Sequence, residues 1–286
     1  MNVMLPFPSN VLSEMKRIIL FFIVTVLFGG PAIAQTSKTN THKPKQWKLV
    51  WSDEFNYKGL PDAKKWSYAT GSSGWGNNEL QNYTAYDSST ASVKNGYLHV
   101  TANRHIKGRD TSYTSARLVT RGKGDWKYGK IEVRARVARG QGICSAIWMM
   151  PTEGKYGGWP SSGEIDIMEY VPWNKDSIYQ TIHTGSYNHI KGTQKGARTF
   201  VKDPPGGFHT FGIEWTPEEI NYYLDGVFRY HFPNEHKSTD EWPYDIPFHL
   251  ITNISVGGKF EGRNGLASSA FPVTMLIDYI RVYEKI

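Results

Sequence analysis

The chain is predicted to be an all-β sandwich, and three features of the sequence carry that reading. Short apolar runs with strand-like alternation recur past residue 46, separated by Gly- and Asn-containing turns. An aspartate–glycine pair, Asp225-Gly226, sits between two such runs, Ile220 to Leu224 and Val227 to His231, and is a strong two-residue hairpin signal. No long amphipathic helix, internal repeat or interior linker interrupts the pattern. Many short strands of this kind argue for a sandwich or jelly roll in one domain.

The elements follow in order. Residues 1–34 have the layout of a secretory signal peptide. Lys16-Arg17 precede the apolar run Ile18 to Phe28, and Ala32-Ile33-Ala34 offers a small-x-small cleavage site. The apolar run is short for a membrane span, so no stable membrane insertion is expected after cleavage. Met15 is an alternative start. Residues 35–46 are polar and read as a disordered leader, leaving 47–286 as the single folded domain. Within it, Lys130 to Val137 alternates strictly, with Ile131, Val133, Ala135 and Val137 on one side. Phe208 to Trp215 and Met275 to Tyr283 are further strands.

Composition excludes more than it selects. The aromatic fraction is 14 %, with 10 Trp and 17 Tyr, but a large β core consumes many of these. Loss of Glu14, Lys16 and Arg17 with residues 1–34 leaves 31 basic against 25 acidic residues, a charge of +6. The basic residues are dispersed and form no nucleic-acid motif, so no nucleic-acid partner is expected. The single cysteine, Cys144, precludes an intramolecular disulfide, and its apolar surroundings suit a buried, inert thiol. A monomer is expected.

The informative stretch is Gly163-Glu164-Ile165-Asp166-Ile167-Met168-Glu169-Tyr170, where three carboxylates occupy six positions of an otherwise apolar strand. An ionised carboxylate stripped of water costs several kcal/mol unless paired or neutralised. Crowding of this kind drives pKa values apart, so one group holds a proton while another stays charged. Glycoside hydrolysis needs that arrangement: one carboxylate as nucleophile, one carboxylic acid for the leaving oxygen. Alternation puts Glu164 and Asp166 on one face and Glu169 on the other. Glu169 rejoins them only if a β-bulge absorbs a residue near Ile167 or Met168.

These residues resemble the bulged Glu-x-Asp-x-x-Glu signature of glycoside hydrolase family 16. The resemblance runs from about Trp47 to Tyr283 and includes Trp51 to Phe55, Gly74 to Gln81, Tyr128 to Arg134, Ala146 to Trp148, Gly158 to Pro160 and Ile277 to Tyr283. Within the family, the segments Gly74 to Gln81 and Trp159-Pro160 look most like laminarinases. The resemblance implies a β-jelly roll with a substrate cleft across its concave sheet, and a retaining mechanism. It implies Glu164 as nucleophile, Glu169 as acid/base and Asp166 as assisting carboxylate. The expected substrate is β-1,3-glucan or mixed-linkage β-1,3/1,4-glucan. A marine galactan (agarose, carrageenan or porphyran) cleaved by the same mechanism is the enzymatic alternative, and a non-catalytic glucan-binding protein the second.

Pyranose rings present apolar faces, so aromatic platforms are expected beside the acids. Trp148 and Trp159 match cleft tryptophans in the laminarinase-like branch, against core packing as the alternative. His183 matches a histidine that contacts the central acids or the sugar, against a purely structural role. Asn78, Arg117 and Asn253 correspond to polar cleft positions; a turn, a surface salt bridge and a strand-end hydrogen bond are their respective rivals. Glu79 is either a sugar ligand or a structural acid. Catalysis needs no cofactor. Asp278 shares a strand face with Leu276, Ile280 and Val282 on simple alternation, and a lone charge there needs a partner. The resemblance implies a structural Ca²⁺ held by Asp278 and the carbonyls of Glu54 and Gly96, which suits hard oxygen donors. A salt bridge to an arginine would serve equally.

Overall fold

The computed structural model describes residues 47–286; the expected signal peptide and leader lie outside the described residues. Two sheets of ten and eight strands pack face to face, antiparallel except where Gln81–Tyr83 runs parallel to Asp110–Ser115, and the short helical turns among the described residues are all 3-10 in geometry. The eight-stranded sheet runs in the order Lys195–Phe200, Ser177–His183, Glu164–Tyr170, Ile143–Pro151, Phe248–Val256, Arg117–Val119, Ser67–Tyr68, with Asp125–Trp126 pairing separately with Phe248–Val256. The ten-stranded sheet has Gly129–Arg136 and Val273–Lys285 at its centre. All-β architecture is thus as the sequence reading expects.

Alternation explains the layering. On Gly129–Arg136 the residues Ile131, Val133 and Ala135 are buried in the core, while Lys130, Glu132 and Arg134 face out. Gly129 has φ 123, and a Cβ there would lie 2.5 Å from the Tyr283 carbonyl oxygen, so only glycine fits this crossing. The Asp225-Gly226 hairpin forms, with φ 53 and 73 at its two central residues, the pair of left-handed conformations that a type I′ turn requires. On the eight-stranded sheet Ile147, Met149, Leu250 and Ile254 point into the core. Their neighbours Ala146, Trp148, Ile251 and Asn253 therefore make up the opposite face, which carries the site.

Simple alternation fails at Asp278. The pairing of Val273–Lys285 with Gly129–Arg136 slips between Ile277 and Tyr279, so Ile277 and Ile280 both turn inward and Asp278 turns out. Asp278 therefore does not share a buried row with Ile280 and Val282, and its carboxylate pairs with the Arg134 guanidinium. The Glu54 carboxylate is held bidentately by Arg281 at 2.9 and 2.8 Å. The strands ending at Asp53 and beginning at Tyr97 both pair with Val273–Lys285 on either side of this slip, which brings the backbones of Glu54 and Gly96 toward Asp278. The charge requirement that pointed to calcium is met here by arginine, the alternative partner named above, through one oxygen of the Asp278 carboxylate. Because both partners are partly solvated, Asp278→Asn should cost less than about 1 kcal/mol in denaturant unfolding. A loss of several kcal/mol that appears only with calcium present would restore the ion.

Candidate active site

The acidic strand contains the expected bulge. Asp166 pairs with Trp148 on one neighbouring strand and Thr181 on the other, while Glu169 pairs with Ala146 and Tyr179. Three steps along the acidic strand thus match two on each neighbour. The extra residue lets Ile167 and Met168 both enter the core, together with Ile165 and Tyr170. Glu164, Asp166 and Glu169 are left on the opposite face together.

Each acid has a distinct environment. The Trp159 indole Nε1 donates to Glu164 Oε2 at 2.7 Å. Asp166 is 2 % exposed and hydrogen bonds to Glu164. Burial pushes the Asp166 carboxyl well up, reinforced by the charges of Glu164 and Glu169, so it carries a proton that it donates to Glu164. Burial also raises Glu164, but the hydrogen bonds from Asp166 and Trp159 and the Arg117 charge pull it back down. Glu169 has no such relief: burial, then the charges of Glu164 and Glu261, push it up to about 8. At neutral pH the strand therefore presents a carboxylate favoured at Glu164 and a protonated acid at Glu169.

His183 lies across the strand pair from Glu164, with Nε2 3.5 Å from Asp166 Oδ2 and 4.0 Å from Glu164 Oε1. Burial and the neighbouring His189 push His183 down to about 4, so it is neutral here and these contacts are not ion pairs. Trp159 is 36 % exposed, which excludes the core alternative, and its ring lies 5.9 Å from His183 and 5.0 Å from His189. His189 was not singled out by sequence; it sits in an irregular loop with no periodicity to mark it.

A second group builds the wall beside Glu169. Its row continues through Ala146 and Asn253 to Arg117. The Arg117 guanidinium lies 4.6 Å from the ring centroids of both Trp75 and Trp148, a two-sided cation–π clamp in place of a surface salt bridge. The Trp148 indole donates to Asn253 Oδ1 at 2.8 Å, Asn253 Nδ2 donates to the Tyr83 hydroxyl at 2.9 Å, and Tyr83 donates to Glu79 Oε2 at 3.3 Å. Every donor in this chain points toward Glu79 Oε2, which also accepts from Gln81 Nε2 at 2.6 Å, so this accepting oxygen ends the chain and sets its direction. Burial, with the Glu261 charge in support, raises Glu79 to about 7 against the hydrogen bonds from Gln81 and Tyr83. Glu79 therefore has an inward structural role.

Asn78 does not join this group in the way Asn253 and Arg117 do. It is exposed at φ 58 in the turn closed by Glu79 N donating to Gly74 O, and the turn role accounts for it. Its neighbour Asn77 reaches inward instead, donating to Glu261 Oε2 at 2.9 Å. Cys144 is buried beside Ala146 and Val171 on this face, and burial pushes its thiol well up, as an inert cysteine requires.

Residues 78–281 match the family model for glycosyl hydrolases family 16. The chain belongs to this family. It is 47 % identical to a β-glucanase of Rhodothermus marinus over 92 % of this chain and 93 % of that protein. The crystal structure of the Rhodothermus marinus laminarinase superposes with a TM-score of 0.82 at 48 % identity, covering 85 % of this chain and 100 % of that one. A mutant of a non-specific endo-β-1,3(4)-glucanase, crystallised with 1,3-β-D-cellotriosyl-glucose, matches with a TM-score of 0.80 at 45 % identity over 85 % and 96 % of the two chains. The family is one of retaining hydrolases that need no catalytic cofactor, and its members use paired carboxylates.

The raised pKa of Glu169 has a thermodynamic counterpart. Its folded pKa, about 8, lies above the unfolded value, so its contribution to stability is full below about pH 4 and is lost as pH rises through 8. Glu169→Gln, neutral at every pH, should therefore raise the melting temperature at pH 9 by more than at pH 5. Equal shifts at both pH values would mean that Glu169 is not held protonated by the fold.

Proposed function

We infer that the chain is an exported endo-β-glucanase that cleaves β-1,3-glucan of the laminarin type and mixed-linkage β-1,3/1,4-glucan. The observation that carries this reading is the bulged strand, which sets Glu164, Asp166 and Glu169 on one face with separated proton affinities. Its likeness to the glucanases named above supports the choice of polymer.

In the first step Glu169 gives its proton to the glycosidic oxygen while Glu164 attacks the anomeric carbon through Oε1, because Oε2 is engaged by the Trp159 indole; the C1–O bond breaks, the leaving sugar departs as an alcohol and a glycosyl ester of Glu164 forms. Asp166 shares its proton with Glu164, which steadies the carboxylate before attack and when it leaves. In the second step Glu169, now ionised, takes a proton from water. The water oxygen attacks the anomeric carbon, and Glu164 is released as carboxylate with net retention. Trp159 and Trp148 supply apolar faces for the sugar rings, and neutral His183, Asn253 and Arg117 supply hydrogen bonds beside them.

The remaining assignments belong to the same proposal. The basic–apolar–small pattern of residues 1–34 supports export, and the protein works as a monomer. No helix among the described residues is long and apolar enough to cross a membrane. Calcium, implied by the resemblance, would share the Asp278 carboxylate with Arg134, which engages Oδ2, and no step of the reaction calls on it.

Product profiling of the purified protein on laminarin, mixed-linkage glucan, cellulose and agarose tests the reading. Oligosaccharide ladders from laminarin are expected, abolished in Glu164→Gln with the fold retained. Cleavage of agarose alone would keep the mechanism and replace the substrate, and binding of laminarin without products would leave a lectin. The basic limb of kcat/KM should fall with an apparent pKa near 8, a value that belongs to the coupled acids together.

A further inference from the structure

We propose that Glu164, Asp166 and His183 also form a binding site for a divalent transition-metal cation of the Zn²⁺ type, whose occupation blocks the nucleophile. Among the described residues this is the one set of three or more such side chains whose donor atoms all lie within 4.8 Å of one another. The inference goes beyond the hydrolytic reading, because ion binding is measurable without any substrate.

The donor geometry is close to what zinc needs. Zinc bonds to imidazole nitrogen and carboxylate oxygen are about 2.1 Å long, which puts neighbouring ligand atoms of a tetrahedron about 3.4 Å apart. His183 Nε2 and Asp166 Oδ2 are 3.5 Å apart, already at that spacing. Glu164 Oε1 is 4.0 Å from the same nitrogen and needs to close by about half an ångström, a small change for a glutamate side chain. The fourth position faces the cleft, where water completes the shell.

Independent features of the site point to a ligand. Asp166 is 2 % exposed, yet its Oδ2 has no hydrogen-bond partner, although nearly all buried carboxylate oxygens have one. That oxygen lies 3.5 Å from His183 Nε2, closer than Glu164 Oε1 at 4.0 Å. The other Glu164 oxygen is fixed by the Trp159 indole, so Oε1 is held on the His183 side. One nitrogen and two carboxylate oxygens suit zinc and its neighbours in the first transition row, whereas calcium takes an all-oxygen shell. On entry of the cation, the proton shared by Asp166 and Glu164 leaves to solvent. Three other histidine–carboxylate contacts, His209 with Asp225, His231 with Glu219 and His236 with Glu218, involve partly or fully exposed groups and pair one histidine with one acid each.

The test is calorimetric titration of the full chain with Zn²⁺ alone, then with Zn²⁺ after saturation with a laminari-oligosaccharide. One ion per chain is expected, with affinity reduced at least about tenfold in His183→Gln, since even loss of an outer partner costs that much. Asp166→Asn serves the same purpose if His183→Gln does not fold. Titration with Co²⁺ should give a visible ligand-field band that Zn²⁺ bleaches. An unchanged isotherm in the folded variants would put the ion on surface histidines and overturn the proposal. Binding that is lost in the variants but indifferent to oligosaccharide would uphold the metal site while contradicting the glucan reading.

Discussion

The cost of taking carboxylates out of water is the constraint on which the rest of this structure depends. Three acids on one buried strand cannot all be ionised, since each bare charge costs several kcal/mol in such surroundings. The fold resolves the conflict unequally. Glu164 receives hydrogen bonds from the Trp159 indole and from protonated Asp166, and Arg117 lends it positive charge. Glu169 faces only like charge and burial, and keeps its proton. The division between nucleophile and acid is thus built by the neighbours of two chemically identical side chains.

Those neighbours must be held in place, and the sandwich does this from below and from the side. Ile165, Ile167, Met168 and Tyr170 anchor the acidic strand in the core, so the acids above them have little freedom to separate. The chain of donors from Trp148 through Asn253 and Tyr83 to Glu79 fixes the indole that supports Arg117. Its terminus, Glu79, is half-buried and feels the charge of the buried Glu261, which also raises Glu169. The supporting wall and the catalytic strand therefore share one electrostatic balance.

Much of this was legible in the sequence, because alternation is a local signal. The strand faces of Lys130 to Val137, the Asp225-Gly226 hairpin and the need for a bulge after Asp166 all follow from spacing. Two kinds of information were hidden. At Asp278 a second bulge, with no unusual residue to announce it, turned the carboxylate from the supposed apolar row to Arg134. In the wall, Asn77 meets Glu261 from 184 positions away, and no periodicity connects two irregular loops. The exchange of roles between Asn78 and Asn77 shows the same limit, since a left-handed turn residue decides which of two adjacent amides faces inward. His189 reached Trp159 by a loop path that pattern reading does not follow.

The central claim is that the bulged strand makes Glu164, and neither of its acidic neighbours, the nucleophile. Trapping with a 2-deoxy-2-fluoro β-glucosyl laminaribioside analogue that carries an activated leaving group, followed by peptide mapping by mass spectrometry, addresses it directly. The account predicts one covalent label per chain, on Glu164. A label on Asp166 or Glu169, with Glu164 unmodified, would contradict it.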